Sequence, residues 1–96
     1  MRGILHDHHF DAEASRIFGG DVARDVALDA VEWELARAKD FAAYPFVANT
    51  KLGPMHYVRT KATTLHPSVI IVFTVDPYRQ QVTLHDIDLA RNLNLP

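Results

Sequence analysis

The stretch PSVIIVFTVD, residues 67–76, is the feature that most restricts how this chain can fold. Its residues are nearly all β-branched or aromatic, so it offers no polar face to solvent. Such a run predicts a central strand that is apolar on both faces. A turn sequence follows, and QVTLHDIDLA then predicts a strand that pairs back on the first. We therefore predict strands over residues 68–75 and 81–89.

Apolar residues in the first half of the chain recur at helical rather than strand spacing. We predict a short helix over residues 12–18, with Asp11 as its N-cap and the Gly19-Gly20 pair as its end. A longer helix is predicted over residues 22–42 and ends before a proline, since the residue that precedes proline avoids helical geometry. The glycine pair makes the two helices a hairpin.

The longer helix carries a wide apolar stripe that includes Val26, Ala30 and Trp33. We expect these residues to be buried against one alternating set of side chains on the central strand. Two further segments alternate as strands do, namely RGILHDHHF and residues 55–62. Together they predict one α+β domain over residues 1–96, with a short N-terminal strand and a helical hairpin packed on a mostly antiparallel sheet.

Composition narrows the class of protein further. The absence of cysteine excludes disulfides and thiolate zinc sites. No apolar run approaches the roughly 18 residues of a membrane span, and the N-terminus lacks a signal-peptide pattern, so we expect a soluble cytoplasmic protein without a membrane partner. Residues 1–47 hold nine acidic and five basic side chains (−4), and residues 48–96 hold three and five (+2). An acidic partner would therefore meet the second half, unless the asymmetry is chance.

The sequence HDHHFD, residues 6–11, concentrates residue types that bind transition metals. His6 and His8 would share one strand face, and Asp11 could supply a third ligand from the turn. No HExxH motif or cysteine pair accompanies them, so we expect no dedicated metal site. The favoured interpretation is a polar edge strand whose charges discourage pairing with other chains.

Three segments, FDAEASRIFGG, GPMHYVRTKA and PSVIIVFTVDPYRQQVTLHDI, together with the order of the elements, resemble the RelE/ParE toxin superfamily of bacterial type II toxin–antitoxin systems. The resemblance spans roughly residues 3 to 91. It implies a toxin that is neutralised by a small cognate antitoxin protein. RelE-like members cut ribosome-bound mRNA without a metal or other cofactor, and ParE-like members poison DNA gyrase.

The resemblance also implies where the site lies. Arg59 and Lys61 fall on the family's basic strand, Arg91 falls near the end of its last strand, and His85 lies on that last strand. Arginine and lysine can stabilise phosphate charge, and histidine can transfer protons near pH 7. The alternatives are a solvated strand face for the basic pair and a packing role for the histidine.

The sequence departs from the family at two places. The central strand begins with PSVIIV, where several RNA-cutting members have an arginine, and the usual C-terminal basic pair is reduced to Arg91. The first expectation is a ribosome-dependent mRNA interferase. A gyrase-targeting toxin, or a non-catalytic protein-binding module of the same fold, remains the alternative.

Overall fold

The structure is a computed structural model that describes residues 2–76 and 80–92. Two α-helices pack on one face of a five-stranded mixed sheet, which is an α+β fold. The elements in chain order are β1 (Gly3–His6), α1 (His8–Phe18), α2 (Asp21–Arg37), β2 (Phe46–Thr50), β3 (Gly53–Arg59), β4 (Val69–Asp76), β5 (Gln81–Leu89) and a 3-10 turn (Ala90–Asn92).

The sheet has the strand order β1-β5-β4-β3-β2, so β4 lies in the middle. This confirms the prediction of a central strand over residues 68–75 and of its pairing with residues 81–89. The pairs β2–β3, β3–β4 and β4–β5 are antiparallel. β1 runs parallel to β5 at the edge of the sheet, with Gly3 opposite Gln81. The short N-terminal strand is therefore an edge strand, as predicted.

The sequence did not predict β2, and it placed β3 too late. β3 ends at Arg59 rather than at residue 62, because the N–H of Val69 donates at 2.9 Å to the hydroxyl of Thr60 and not to its backbone carbonyl, which interrupts the backbone ladder. β2 and β3 form a tight hairpin that depends on Gly53, whose φ is 121°. Any Cβ at this glycine would run into the carbonyl oxygen of Val75, so only glycine fits.

α1 begins four residues earlier than predicted. Its N-cap is Asp7, whose carboxylate accepts from the backbone N–H of His9 at 2.8 Å. The assignment of Asp11 as the cap was wrong, since Asp11 lies inside the first turn of the helix. The helix ends at Gly19 in the left-handed conformation (φ 84°), which confirms the predicted glycine stop.

α2 ends at Arg37 rather than at residue 42, because Ala38 is already extended (φ −58°, ψ 134°). The chain then packs two aromatic side chains onto the sheet. The rings of Phe41 and Tyr44 lie 5.8 and 5.7 Å from the ring of Phe73. Burial of these rings against β4 is more favourable than further helical turns. The helix therefore ends before it comes to the residue that precedes the proline.

The helices cover β4 with a stripe that the sequence analysis did not select. Leu28, Val31 and Leu35, the inner stripe of α2, join Phe10 of α1 in the core. They pack over the β4 set Val69, Ile71, Phe73 and Val75. The expected burial of the Val26–Ala30–Trp33 stripe was wrong: Ala30 is exposed, and Trp33 keeps 56% of its surface accessible.

This difference predicts opposite effects of two similar truncations in α2. Leu28→Ala should lower the free energy of unfolding by about 2–5 kcal/mol, because it opens a cavity in the core. Val26→Ala should change it by no more than about 0.5 kcal/mol, because Val26 is 66% exposed. Urea unfolding followed by circular dichroism measures both. A loss at Val26 equal to that at Leu28 would contradict this assignment of the faces.

Candidate functional site

The sheet face opposite the helices, here called the open face, carries polar side chains from the three middle strands. Residues directly paired across strands share a face, so the rungs can be read from the register. Arg59 pairs with Ile70, and Tyr57 pairs with Val72. These β4 residues alternate with the buried helix-facing set, which places Arg59 and Tyr57 on the open face.

A β-bulge brings His85 onto the open face. Val72 pairs with Asp86 and Phe73 pairs with Leu84, so His85 is an extra residue in β5. Strict alternation would have placed His85 on the same side as Ile87, which is buried under the helices. The bulge instead places His85 and Ile87 on opposite faces of the sheet. The packing role that alternation favoured for His85 therefore does not hold.

His85 is held in place by a neighbour on the central strand. Its Nε2 and the hydroxyl of Thr74 share a hydrogen bond of 2.7 Å, and Thr74 is buried. Half-buried and hydrogen-bonded through one nitrogen, the imidazole is fixed in orientation. The sequence analysis did not identify Thr74, because threonine in an apolar strand gives no signal of a polar partner on the neighbouring strand.

Two arginines that are far apart in sequence converge on one pocket. Arg59, at the end of β3, and Arg91, in the 3-10 turn, line a pocket of about 550 Å³ where β3 ends and β4 begins. The turn is anchored by the backbone N–H of Ala90, which donates to Ser68 at 3.0 Å. Within residues 2–76 and 80–92, neither guanidinium makes an ion pair, so both are available for an anion. We call this the arginine pocket.

The structure does not bring all four predicted site residues together. Lys61 lies beyond the end of β3 and lines a separate groove beside α2, together with Arg59 and Glu34. His85 lies on the open face about three residues along the sheet from the rung of Arg59 and two strands across from it, a backbone separation of roughly 14 Å. Arg59 and Arg91 therefore form the convergent pair, with His85 on the same sheet surface.

Carboxylates also lie on this surface and were not part of the predicted site. Asp86 and Asp88 pair with Val72 and Ile70, which places both on the open-face side of β5. Asp86 also lies 3.3 Å from the Nε2 of His9 on α1. The open face is thus mixed in charge, with its basic part confined to the arginine pocket.

The histidine-rich segment folds into a charge network that joins three elements. On β1, the Nδ1 of His6 lies 2.7 Å from the carboxylate of Asp11, and its Nε2 contacts the carboxylate of Glu32 on α2. Burial alone would lower the pKa of His6. The hydrogen bonds to Glu32 and Asp11 outweigh that effect and raise the pKa. The guanidinium of Arg24, 3.8 Å from Asp11, completes the network.

This arrangement differs from the metal site considered from the sequence. His8 is exposed at the start of α1, so it does not share a strand face with His6. The two carboxylates contact opposite nitrogens of the His6 ring and cannot meet at one point. In the part of the chain that the structure describes, no three histidine or carboxylate side chains are grouped to hold a metal ion.

Comparisons with known proteins assign no family to this chain. No protein-family model matches it, and no curated protein matches it. Among solved structures it is similar to a conserved hypothetical protein, HP0892 from Helicobacter pylori. That similarity has a TM-score of 0.48 and 17% sequence identity, and covers 98% of this chain and 100% of the other. Among the described residues, no helix is both long and apolar enough to cross a membrane.

The His6 network predicts a pH dependence of stability. Because the folded-state pKa lies above the unfolded value of 6.5, the stabilisation is complete below that value and is lost as the pH rises through the folded-state pKa. As the pH rises from about 6 through the folded-state pKa, the network should lose up to about 1 kcal/mol. His6→Gln should flatten this part of the profile, measured by urea unfolding, and the exposed control His8→Gln should not. An unchanged profile in His6→Gln would contradict the network.

Proposed function

We propose that this chain is a RelE/ParE-type toxin that arrests growth by cutting ribosome-bound mRNA. The observation that carries the proposal is the convergence of Arg59 and Arg91 on one pocket beside the open face. Two guanidinium groups that make no ion pair within the described part of the chain fit the oxygens of a backbone phosphate, which they can contact in a bidentate manner. The comparatively basic second half of the chain supports the same assignment.

The proposed reaction needs no metal. The 2′-hydroxyl of a ribose gives up its proton as its oxygen bonds to the adjacent phosphorus. The bond from phosphorus to the 5′ oxygen breaks and that oxygen takes up a proton, which leaves a 2′,3′-cyclic phosphate and a 5′-hydroxyl. The arginine pocket stabilises the charge that develops on the phosphate. His85, oriented by Thr74 on the same surface, is the group that transfers a proton near neutral pH. Tyr57, on the rung between them, offers a ring on which a base can stack.

A protein-binding module of the same fold is the second candidate, and Asp86 and Asp88 favour it. Both residues occupy open-face rungs of β5, and their negative charge repels a phosphate backbone. A protein partner with its own lysines or arginines would pair with them instead. The two candidates differ in turnover, so an RNA-cleavage assay separates them.

The first test removes the two arginines together. The parent chain, induced in a bacterial host, should stop growth, and primer extension should show new mRNA ends that depend on translation. Arg59→Ala with Arg91→Ala should lower cleavage by about a hundredfold or more, the effect of lost charge stabilisation. Folding should be retained, because both side chains are exposed.

The matched control removes two positive charges elsewhere, Lys39→Ala with Lys51→Ala, and should cleave like the parent. Equal activity of the arginine double variant would refute the arginine pocket as the site. A parent chain that neither arrests growth nor cuts mRNA would replace the ribonuclease proposal with the protein-binding module.

The second test concerns proton transfer. His85→Gln keeps a side chain that can hydrogen-bond to Thr74 but cannot exchange a proton near pH 7. Cleavage by this variant should fall by about a hundredfold and lose its pH dependence in that range. His66→Gln, which alters a histidine outside the open face, should leave rate and pH profile unchanged. If His85→Gln cleaves at the rate of the parent, His85 has no part in proton transfer.

A further inference from the structure

The side of α2 that faces away from the sheet carries an apolar stripe on which no other element of the described residues packs. Val22, Val26, Ala30 and Trp33, the outer stripe, follow one another at intervals of four, four and three residues and so share one helix face. Val22 is 79% exposed. α2 is therefore apolar on two opposite sides, and only the inner stripe is used by the fold.

The outer stripe is a concentration of exposed apolar surface rather than scattered residues. Among the residues that the structure describes, seven large apolar side chains are exposed, and three of them belong to this stripe. The other four lie on different elements or loops. The guanidinium of Arg37 stacks on the ring of Trp33 at 4.8 Å and closes the C-terminal end of the stripe. Contiguous apolar surface of this kind marks a docking surface.

Carboxylates flank the outer stripe on both sides. Asp25 and Asp29 lie along one flank, and Glu34 lies along the other. Arg24, the only basic residue in the first three turns, is turned inward and engages Asp11, Asp21 and Asp25. Among the described residues, Asp29 makes no ion pair. The surface is apolar along its centre and negative along its edges.

We propose that the outer stripe docks an amphipathic α-helix of another protein whose apolar face is flanked by lysine or arginine. Such a helix buries the stripe while its basic residues pair with Asp25, Asp29 and Glu34. A second copy of this chain does not fit. Antiparallel pairing would set Asp25 and Asp29 against the same residues of the copy, and parallel pairing would set them beside its Glu34. An anionic membrane surface is repelled by the same carboxylates.

The test uses Trp33, the one tryptophan of the chain, as its reporter. The probe is a model peptide of about 18 residues, in which leucines at helical spacing are flanked by lysines. Titration should shift the emission of Trp33 to shorter wavelength and saturate at micromolar peptide. A peptide with glutamate in place of lysine should bind at least about tenfold more weakly.

Variants of the chain locate the binding. Val26→Ser should weaken binding of the lysine peptide about fivefold, because apolar burial is lost. Asp29→Asn should weaken it about two- to fivefold, and less so at high salt. Leu65→Ser and Asp40→Asn alter an exposed leucine and a carboxylate away from the stripe and should bind like the parent.

Three results would overturn the proposal. The first is no shift of Trp33 emission with the lysine peptide. The second is equal binding of the two peptides, or of Val26→Ser and the parent. The third is concentration-dependent dimerisation of the chain in sedimentation that Val26→Ser abolishes, which would make a second copy the occupant. The emission of Trp33 is measured independently of RNA cleavage. A negative binding result therefore leaves the proposed function standing, and a negative cleavage result leaves the docking proposal standing.

Discussion

Burial of β4 on the helix side is the constraint on which the rest of the structure depends. Val69, Ile71, Phe73 and Val75 are all buried beneath the helices, while the strand is hydrogen-bonded to a neighbour on each side. A slip of one residue would turn this whole set to the open face, so the register is strongly specified. Contact with these β4 side chains positions three parts of the chain, namely the inner stripe of α2, the ring of Phe10 and the aromatic segment after α2.

The bulge in β5 shows why part of the candidate site could not be predicted from sequence. The hydrophobic pattern sufficed to place β4 and β5, because a two-sided apolar run fits few positions in a sheet. It did not locate the extra residue: the apolar positions of QVTLHDIDL change phase between Leu84 and Ile87, but this change does not say which of the two residues between them is the extra one. The bulge changes the face of His85 and creates its contact with Thr74. A local backbone irregularity therefore determined which chemistry the open face carries.

The helices show a different limit of prediction from sequence. Helical spacing correctly identified the hairpin and its glycine stop. It gave one wide apolar stripe on α2, whereas α2 is apolar on two sides, and the residues expected to be buried lie on the exposed side. Both sides have the right period, and the exposed side contains the large Trp33. The inner stripe, which holds Leu28 and Leu35, faces the sheet, where its branched aliphatic side chains pack over Ile71 and Phe73. The spacing of apolar residues identifies an apolar helix face but does not say which other element packs on that face.

The two proposed surfaces meet at Arg59. This arginine lines the arginine pocket, which opens where β3 and β5 end, and it also lines the groove beside α2 together with Ala30 and Glu34. A helix docked on the outer stripe of α2 would therefore lie next to that groove rather than on the far side of the sheet from Arg59. Such a partner can act on the arginine pocket at Arg59 itself, or through α2 and the core beneath it, by a differential affinity for two arrangements of those elements. If it does neither, it tethers this chain while the pocket remains accessible.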